Sequence, residues 1–125
     1  MTDLWDEIVG AWTLAGITEF ADDGTERKPY GDRPNGQLVY SEDGHMAVVI
    51  DGHGPAPAVA YAGTVAVADG RVRHVVAVGL PPFTADQERF ARLEDRGARL
   101  VLATERPGSP RIELHWARLG AITAR

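Results

Sequence analysis

His74 is the residue whose type and position most clearly suggest chemistry. It alternates with Val72 and Val76 along a segment whose other face carries arginines. An imidazole changes its charge near neutral pH and can transfer a proton, so His74 is a candidate catalytic acid or base. The structural alternative is a core histidine that is hydrogen-bonded to a backbone carbonyl.

Arg89 and Gln87 are the second candidates, because they lie at alternate positions on a segment face that carries no acid. A buried arginine needs a partner, since desolvating an unpaired charge is very costly. That partner could be a ligand carboxylate or enolate, and a catalytic Arg89 would then stabilise an oxyanion. It could equally be Glu105, Glu113 or a carbonyl at the rim.

The other candidates for ligand contact carry hydroxyl groups or apolar surfaces. They are Thr18, Tyr40, Tyr61, Val76, Phe83 and Trp116. A tyrosine offers an apolar ring and a hydroxyl that can orient a ligand, although core packing alone would also explain these tyrosines. Phe83 follows Pro81-Pro82 and is a candidate lid residue, and the loop Gly52–Pro57 is a candidate flap over a cavity mouth.

Composition and motif spacing exclude several classes of partner and cofactor. The chain has 13 basic and 18 acidic residues and a net charge of -5, which argues against nucleic acid. It has no cysteine, and the spacing of His45, Asp51 and His53 fits no zinc pattern, so no metal is expected. No glycine-rich phosphate loop is present, and we expect no cofactor.

The chain also lacks the signals of membrane insertion and export. No stretch approaches the ~20 apolar residues that a membrane helix needs. The acidic N-terminus does not resemble a signal peptide, so we expect a cytoplasmic protein that does not bind membranes.

Turn signals divide the chain into eight strand-like segments that follow a short N-terminal helix ending at Gly10. The segments are Ala11–Phe20, Gly36–Glu42, His45–Asp51, Val59–Ala68, Arg71–Gly79, Asp86–Leu93, Arg99–Thr104 and Ile112–Leu119. No crossover helix separates them, so the pairing should be antiparallel. We predict an all-β, eight-stranded up-and-down barrel formed by a single domain over residues 1–125, with a β-sandwich as the structural alternative.

Alternation along the strands predicts which side chains face the interior. The predicted inward sets are Trp12, Leu14, Gly16, Thr18 and Phe20; Val72, His74, Val76 and Val78; and Ile112, Leu114, Trp116 and Arg118. Two strands stay open. The segment 36–42 could bury either Leu38 with Tyr40 or Gln37 with Val39. The segment 45–51 could bury either Met46, Val48 and Ile50 or His45, Ala47 and Val49.

Several short motifs resemble one known family. Gly10-Ala11-Trp12 resembles the Gly-x-Trp signature of lipocalins, and Arg118 matches the arginine that packs over that tryptophan. The segments Pro34–Tyr40, Asp43–Met46 and Tyr61–Val65 are similar to the short lipocalin-like domain family of bacteria. The resemblance implies a small closed barrel with an internal cavity, whose base is closed by a cation–π contact between Arg118 and Trp12. It implies no single reaction.

These observations favour a cavity that binds a small apolar or amphipathic molecule with one polar end. One alternative is a cofactor-independent cyclase or isomerase that acts on a natural-product intermediate in the same cavity. Another is a barrel that is filled with side chains and serves as an interaction module. The sequence is compatible with a monomer or a homodimer.

Overall fold

The computed structural model describes residues 3–104 and 109–120. Its elements are α1 (Leu4–Ile8), β1 (Gly10–Phe20), β2 (Glu26–Arg27), β3 (Gly36–Tyr40), β4 (His45–Ile50), β5 (Val59–Ala68), β6 (Arg71–Gly79), β7 (Gln87–Glu94), β8 (Arg99–Thr104) and β9 (Arg111–Arg118). From β3 to β9 each strand pairs antiparallel with the next, and β1 pairs with both β3 and β9. Eight strands therefore close into an up-and-down barrel. The predicted fold class is confirmed, and the sandwich alternative is wrong.

Local turn chemistry explains why the neighbouring strands pair in this register. The hairpin between β5 and β6 turns on Asp69 and Gly70, which both have positive φ angles, of 53° and 72°. A two-residue turn of this kind matches the twist of antiparallel strands and favours Asp-Gly. The turn pairs Ala68 with Arg71, and the ladder then carries His74 to a position opposite Val65.

One end of the barrel is closed by α1 together with Trp12 and Arg118. Trp12 is completely buried, and its indole N–H donates a hydrogen bond to the Ile8 carbonyl at 2.8 Å. The Arg118 guanidinium lies 4.2 Å from the centre of the Trp12 ring. The same guanidinium donates to the backbone carbonyls of Glu7, Val9 and Gly97. A cation–π contact and three backbone acceptors thus hold the helix against the barrel base.

The two strands with undecided faces bury their apolar residues. Leu38 and Tyr40 are buried on β3, and Met46, Val48 and Ile50 are buried on β4. On β7, the face that carries Gln87, Arg89, Ala91 and Leu93 is the less exposed one, as the lack of acids predicts.

A bulge in β1 overturns the inward position predicted for Thr18. Leu14 pairs with Trp116 and Gly16 with His115, which leaves Ala15 as an extra residue. The alternation reverses there, because one inserted residue exchanges the two faces of a strand. Ile17 is therefore buried, while Thr18 pairs with Glu113 on the outer side.

A second bulge, in β6, overturns the inward position predicted for Val78. Ala62 pairs with Val78 and Gly63 with Val76, so Ala77 is the extra residue. Val78 is consequently 67% exposed. Gly63 is required at this point, because a Cβ atom there would lie only 1.9 Å from the Val75 carbonyl oxygen.

Candidate ligand-binding cavity

A cavity of about 210 Å³ lies inside the barrel. All eight barrel strands contribute to its wall, which is mainly aliphatic and aromatic. The strand residues that line it are Ile17, Leu38, Val48, Ile50, Val59, Tyr61, His74, Arg89, Leu102, Ile112, Leu114 and Trp116. The interior is therefore not filled by side chains, contrary to the hypothesis of a filled barrel.

Three side chains from separate strands form a hydrogen-bonded chain at the polar side of the cavity. The Tyr40 hydroxyl lies 2.6 Å from His74 Nε2, and the Tyr61 hydroxyl lies 2.6 Å from His74 Nδ1. All three side chains are at least nine-tenths buried. Tyr61 and His74 line the cavity, whereas Tyr40 lies behind them. The imidazole is satisfied by two tyrosines, not by the backbone carbonyl that its structural interpretation predicts.

Burial keeps all three groups uncharged at neutral pH. Desolvation, and to a smaller extent the positive charge of Arg89, lowers the pKa of His74 from 6.5 to about 3. Burial raises the pKa of Tyr61 to about 12 and that of Tyr40 well above 10. Both nitrogens of His74 already have partners, so His74 has no nitrogen left to exchange a proton directly with a ligand.

Arg89 reaches the cavity wall from β7, as its predicted face requires. Its guanidinium donates to Gln87 Oε1 at 3.0 Å and to the Glu88 carbonyl at 2.9 Å. Gln87 does not line the cavity itself, and its amide N–H donates to the Ala85 carbonyl at 2.9 Å. Gln87 thus supports the guanidinium of Arg89 from outside the wall of this cavity.

Of the two acids predicted as possible partners of Arg89, the structure describes Glu113, whereas Glu105 lies outside the described residues. Glu113 is on the outer face of the barrel, where it accepts from Arg92, Arg111 and His115. The arginine contacts keep the pKa of Glu113 below its usual value despite partial burial. This cluster supports the outer surface and is separate from the cavity.

The remaining predicted contacts divide between the cavity and its surroundings. Phe83 and Trp116 line the cavity. Val76 packs against the core but is not part of the cavity wall. Phe83 reaches its place because the chain after β6 passes close to Gly79, where a Cβ atom would lie 2.1 Å from the Phe83 carbonyl oxygen.

Tyr30, which the sequence analysis did not select, joins its own loop to the loop Gly52–Pro57 at the cavity. The Tyr30 hydroxyl donates to the Pro57 carbonyl at 2.8 Å, and both residues line the cavity. Pro57 belongs to the predicted mouth flap, and the His53 ring packs against Gly31 of the other loop. The only sequence signal for Tyr30 is an aromatic residue within a loop of prolines and glycines.

Two kinds of feature are missing from the described part of the chain. Within residues 3–104 and 109–120, no three His, Asp or Glu side chains gather where they could hold a metal ion. In the same ranges, no helix has the length and apolar character needed to cross a bilayer.

Comparison with known proteins agrees with this architecture. Residues 9–59 match the family model of the lipocalin-like domain, which confirms the resemblance over that part of the chain. Residues 9–59 are therefore similar to the lipocalin-like domain, and the described residues fold as a closed antiparallel β-barrel. No curated protein sequence matches this chain.

Solved structures with the same barrel are distant in sequence. A redesigned β-barrel is 12% identical with a TM-score of 0.56, covering 96% of this chain and 98% of its own. A de novo designed fluorescence-activating β-barrel is 14% identical with a TM-score of 0.53, covering 95% and 100%. A point mutant of the fluorescent protein UnaG is 12% identical with a TM-score of 0.50, covering 93% and 99%. At these identities the likeness concerns the fold of the lipocalin-like barrel alone.

Proposed function

We propose that this lipocalin-like barrel binds a small, largely apolar molecule in its cavity, with one polar end directed toward Tyr61 and Arg89. The observation that carries the proposal is the composition of the cavity wall. Apolar side chains from the barrel strands surround a hollow of about 210 Å³, and the few polar groups that the described residues contribute are Tyr30, Tyr61, His74, Arg89 and Trp116. An apolar pocket with a few fixed polar groups is the usual form of a small-molecule site.

The volume of the cavity limits the size of the ligand. Pockets for drug-sized molecules measure about 300–1,000 Å³, so 210 Å³ suits a smaller compound. An engineered apolar cavity of about 150 Å³ in another protein admits benzene. A ligand with one ring or a short branched chain and a single polar group would therefore fit this barrel.

The alternative hypothesis of a cyclase or isomerase gains no support from His74. Acid–base catalysis needs a group with a suitable pKa within hydrogen-bond reach of the substrate. The pKa of His74 is about 3, and both ring nitrogens are bonded to tyrosines. We therefore propose binding and assign no reaction to the cavity.

Filling the cavity should abolish ligand binding. Val48 is buried and lines the cavity, so Val48→Phe places a ring in the space that the ligand would occupy. We expect the affinity for toluene or acetophenone, measured by calorimetry or ligand-observed NMR, to fall at least ~10-fold, which is about 1.4 kcal/mol of binding free energy, because the phenyl ring takes up space that the ligand needs.

Val49→Phe is the matched control. Val49 is the next residue on the same strand, but it is 57% exposed and points away from the cavity. Its variant should bind both probes like the unmodified protein, and thermal unfolding should show that both variants are folded. Failure of the unmodified protein to bind either probe, or undiminished binding by the folded Val48→Phe variant, would contradict the proposed function.

A further inference from the structure

We propose that the polar end of the ligand is a hydrogen-bond acceptor, namely a carbonyl or carboxylate oxygen, and that the Tyr61 hydroxyl donates a hydrogen bond to it. The inference rests on the proposed function, because it concerns the chemical group that faces the polar side of the same cavity. It follows from counting the protons in the chain of Tyr40, His74 and Tyr61.

The chain holds one more proton than it has hydrogen bonds. A neutral imidazole carries one N–H, and each tyrosine carries one O–H, which makes three protons for the two 2.6 Å contacts. If Tyr40 donates to Nε2, then Nδ1–H donates to Tyr61, and the Tyr61 proton is left over. If the direction is reversed, the proton of Tyr40 is left over.

The burial of Tyr40 selects the first direction. Tyr40 is 1% exposed, packs its ring edge-on against Trp5, and does not line the cavity. Among the described residues, its hydroxyl has no second hydrogen-bond partner. An extra proton on Tyr40 would therefore be a buried donor without an acceptor, which folded proteins avoid. Tyr61 lines the cavity, where a ligand can accept its proton.

The other polar groups around the cavity also favour an acceptor. Trp116 is 1% exposed, and its indole N–H has no partner within residues 3–104 and 109–120. Arg89 adds a permanent positive charge to the wall, whereas no Asp, Glu, Asn or Gln side chain among the described residues lines the cavity. The hydroxyl of Tyr30 is already bonded to Pro57. An ammonium or other donor group would meet donors and a like charge, while an oxygen acceptor would satisfy them.

The tautomer of His74 tests the direction of the chain without any ligand. Long-range ¹H–¹⁵N NMR correlations distinguish a protonated from an unprotonated ring nitrogen in the intact protein at pH 7. We expect protonated Nδ1 and unprotonated Nε2. Protonation at Nε2 alone would overturn the inference, because Tyr61 would then donate its proton to Nδ1 and have none left for a ligand. Protonation at both nitrogens would overturn the count of three protons on which the inference depends, because the chain would then hold four.

Matched probes test the group that the cavity selects. Acetophenone carries one acceptor oxygen, α-methylstyrene has the same shape without it, and 1-phenylethylammonium carries a donor. We expect acetophenone to bind about 10-fold more tightly than α-methylstyrene, because that factor is about 1.4 kcal/mol of binding free energy, which one additional hydrogen bond can contribute. We expect 1-phenylethylammonium to bind most weakly of the three. Tyr61→Phe should remove the preference for acetophenone and leave the affinity for α-methylstyrene nearly unchanged.

Thr18→Val is the control, because it also removes one hydroxyl, but Thr18 pairs with Glu113 on the outer side of the barrel and does not line the cavity. This variant should keep the preference for acetophenone. Equal binding of acetophenone and α-methylstyrene to the unmodified protein would overturn the acceptor inference while the proposed function stands. Binding of none of the three probes would overturn the proposed function itself. If Tyr61→Phe does not fold, the tautomer and the unmodified protein's preference decide the outcome.

Discussion

Replacing Trp12 with alanine should lower the free energy of unfolding by about 3–5 kcal/mol, the range for removing a large aromatic side chain from a core. Trp12 is completely buried, donates to the Ile8 carbonyl, and supports the Arg118 guanidinium. The alanine variant loses all three interactions and leaves a cavity at the barrel base. Urea denaturation followed by circular dichroism measures the change.

Two further variants separate the contribution of Arg118 from that of the buried ring. Arg118→Gln removes the cation, Trp12→Leu removes the aromatic face, and a double-mutant cycle of the two should give a coupling of roughly 0.5–2 kcal/mol. Trp5→Ala is the control for loss of an indole, because Trp5 is only half-buried and packs beside Tyr40. A loss of stability from Trp12→Ala no larger than that from Trp5→Ala would contradict the structural role assigned to the barrel base.

Acidification from pH 7.5 to pH 5 should lower the free energy of unfolding by about 2 kcal/mol through His74 alone. The pKa of His74 is about 3 in the folded protein and near 6.5 when the chain is unfolded. Between these values the unfolded chain binds a proton that the folded protein does not bind. Stability is therefore greatest above pH 6.5 and is lost as the pH falls toward 3.

His74→Gln isolates this effect, because glutamine does not titrate but keeps one donor and one acceptor for Tyr40 and Tyr61. The variant should lose about 2 kcal/mol less than the unmodified protein over the same pH interval, whatever its stability at pH 7.5. Measurements above pH 5 avoid carboxylates such as Asp86 and Glu113, whose pKa values lie below their usual range. Parallel stability curves for the two proteins would contradict a buried neutral imidazole at position 74.

Local sequence patterns were sufficient to predict the N-terminal helix, the eight barrel strands and most of the interior, but not the short strand β2. The Asp69-Gly70 turn sets its hairpin because its backbone angles suit few other residue pairs. Alternation correctly predicted that Leu114 and Trp116 share the inner face of β9, and the lack of acids correctly predicted the inner face of β7. Both signals act over a few residues, so they can be recognised without knowing which strands meet.

The bulges could not be predicted in this way. Thr18 and Val78 lie on faces that simple alternation assigns incorrectly, because Ala15 and Ala77 are extra residues in their strands. A bulge responds to the curvature and twist that a sheet needs to close, and this requirement involves the whole barrel. Gly63 lies opposite the bulge in β6 and is its one sign in the sequence. A glycine within a strand can also mark a bend or a close approach of another backbone, so it does not by itself predict a bulge.

Sequence alone predicted eight antiparallel strands and the inward faces that carry His74 and Arg89, because turn residues and alternating side chains act locally, while the pairing of β1 with β9 decided for a barrel over a sandwich. Only the tertiary structure decided that His74 is held between Tyr40 and Tyr61, that Tyr30 joins two loops at the cavity, and that Glu113 serves the outer surface. These contacts join residues from separate strands and loops. Their partners depend on strand register and barrel closure, which bring distant segments together.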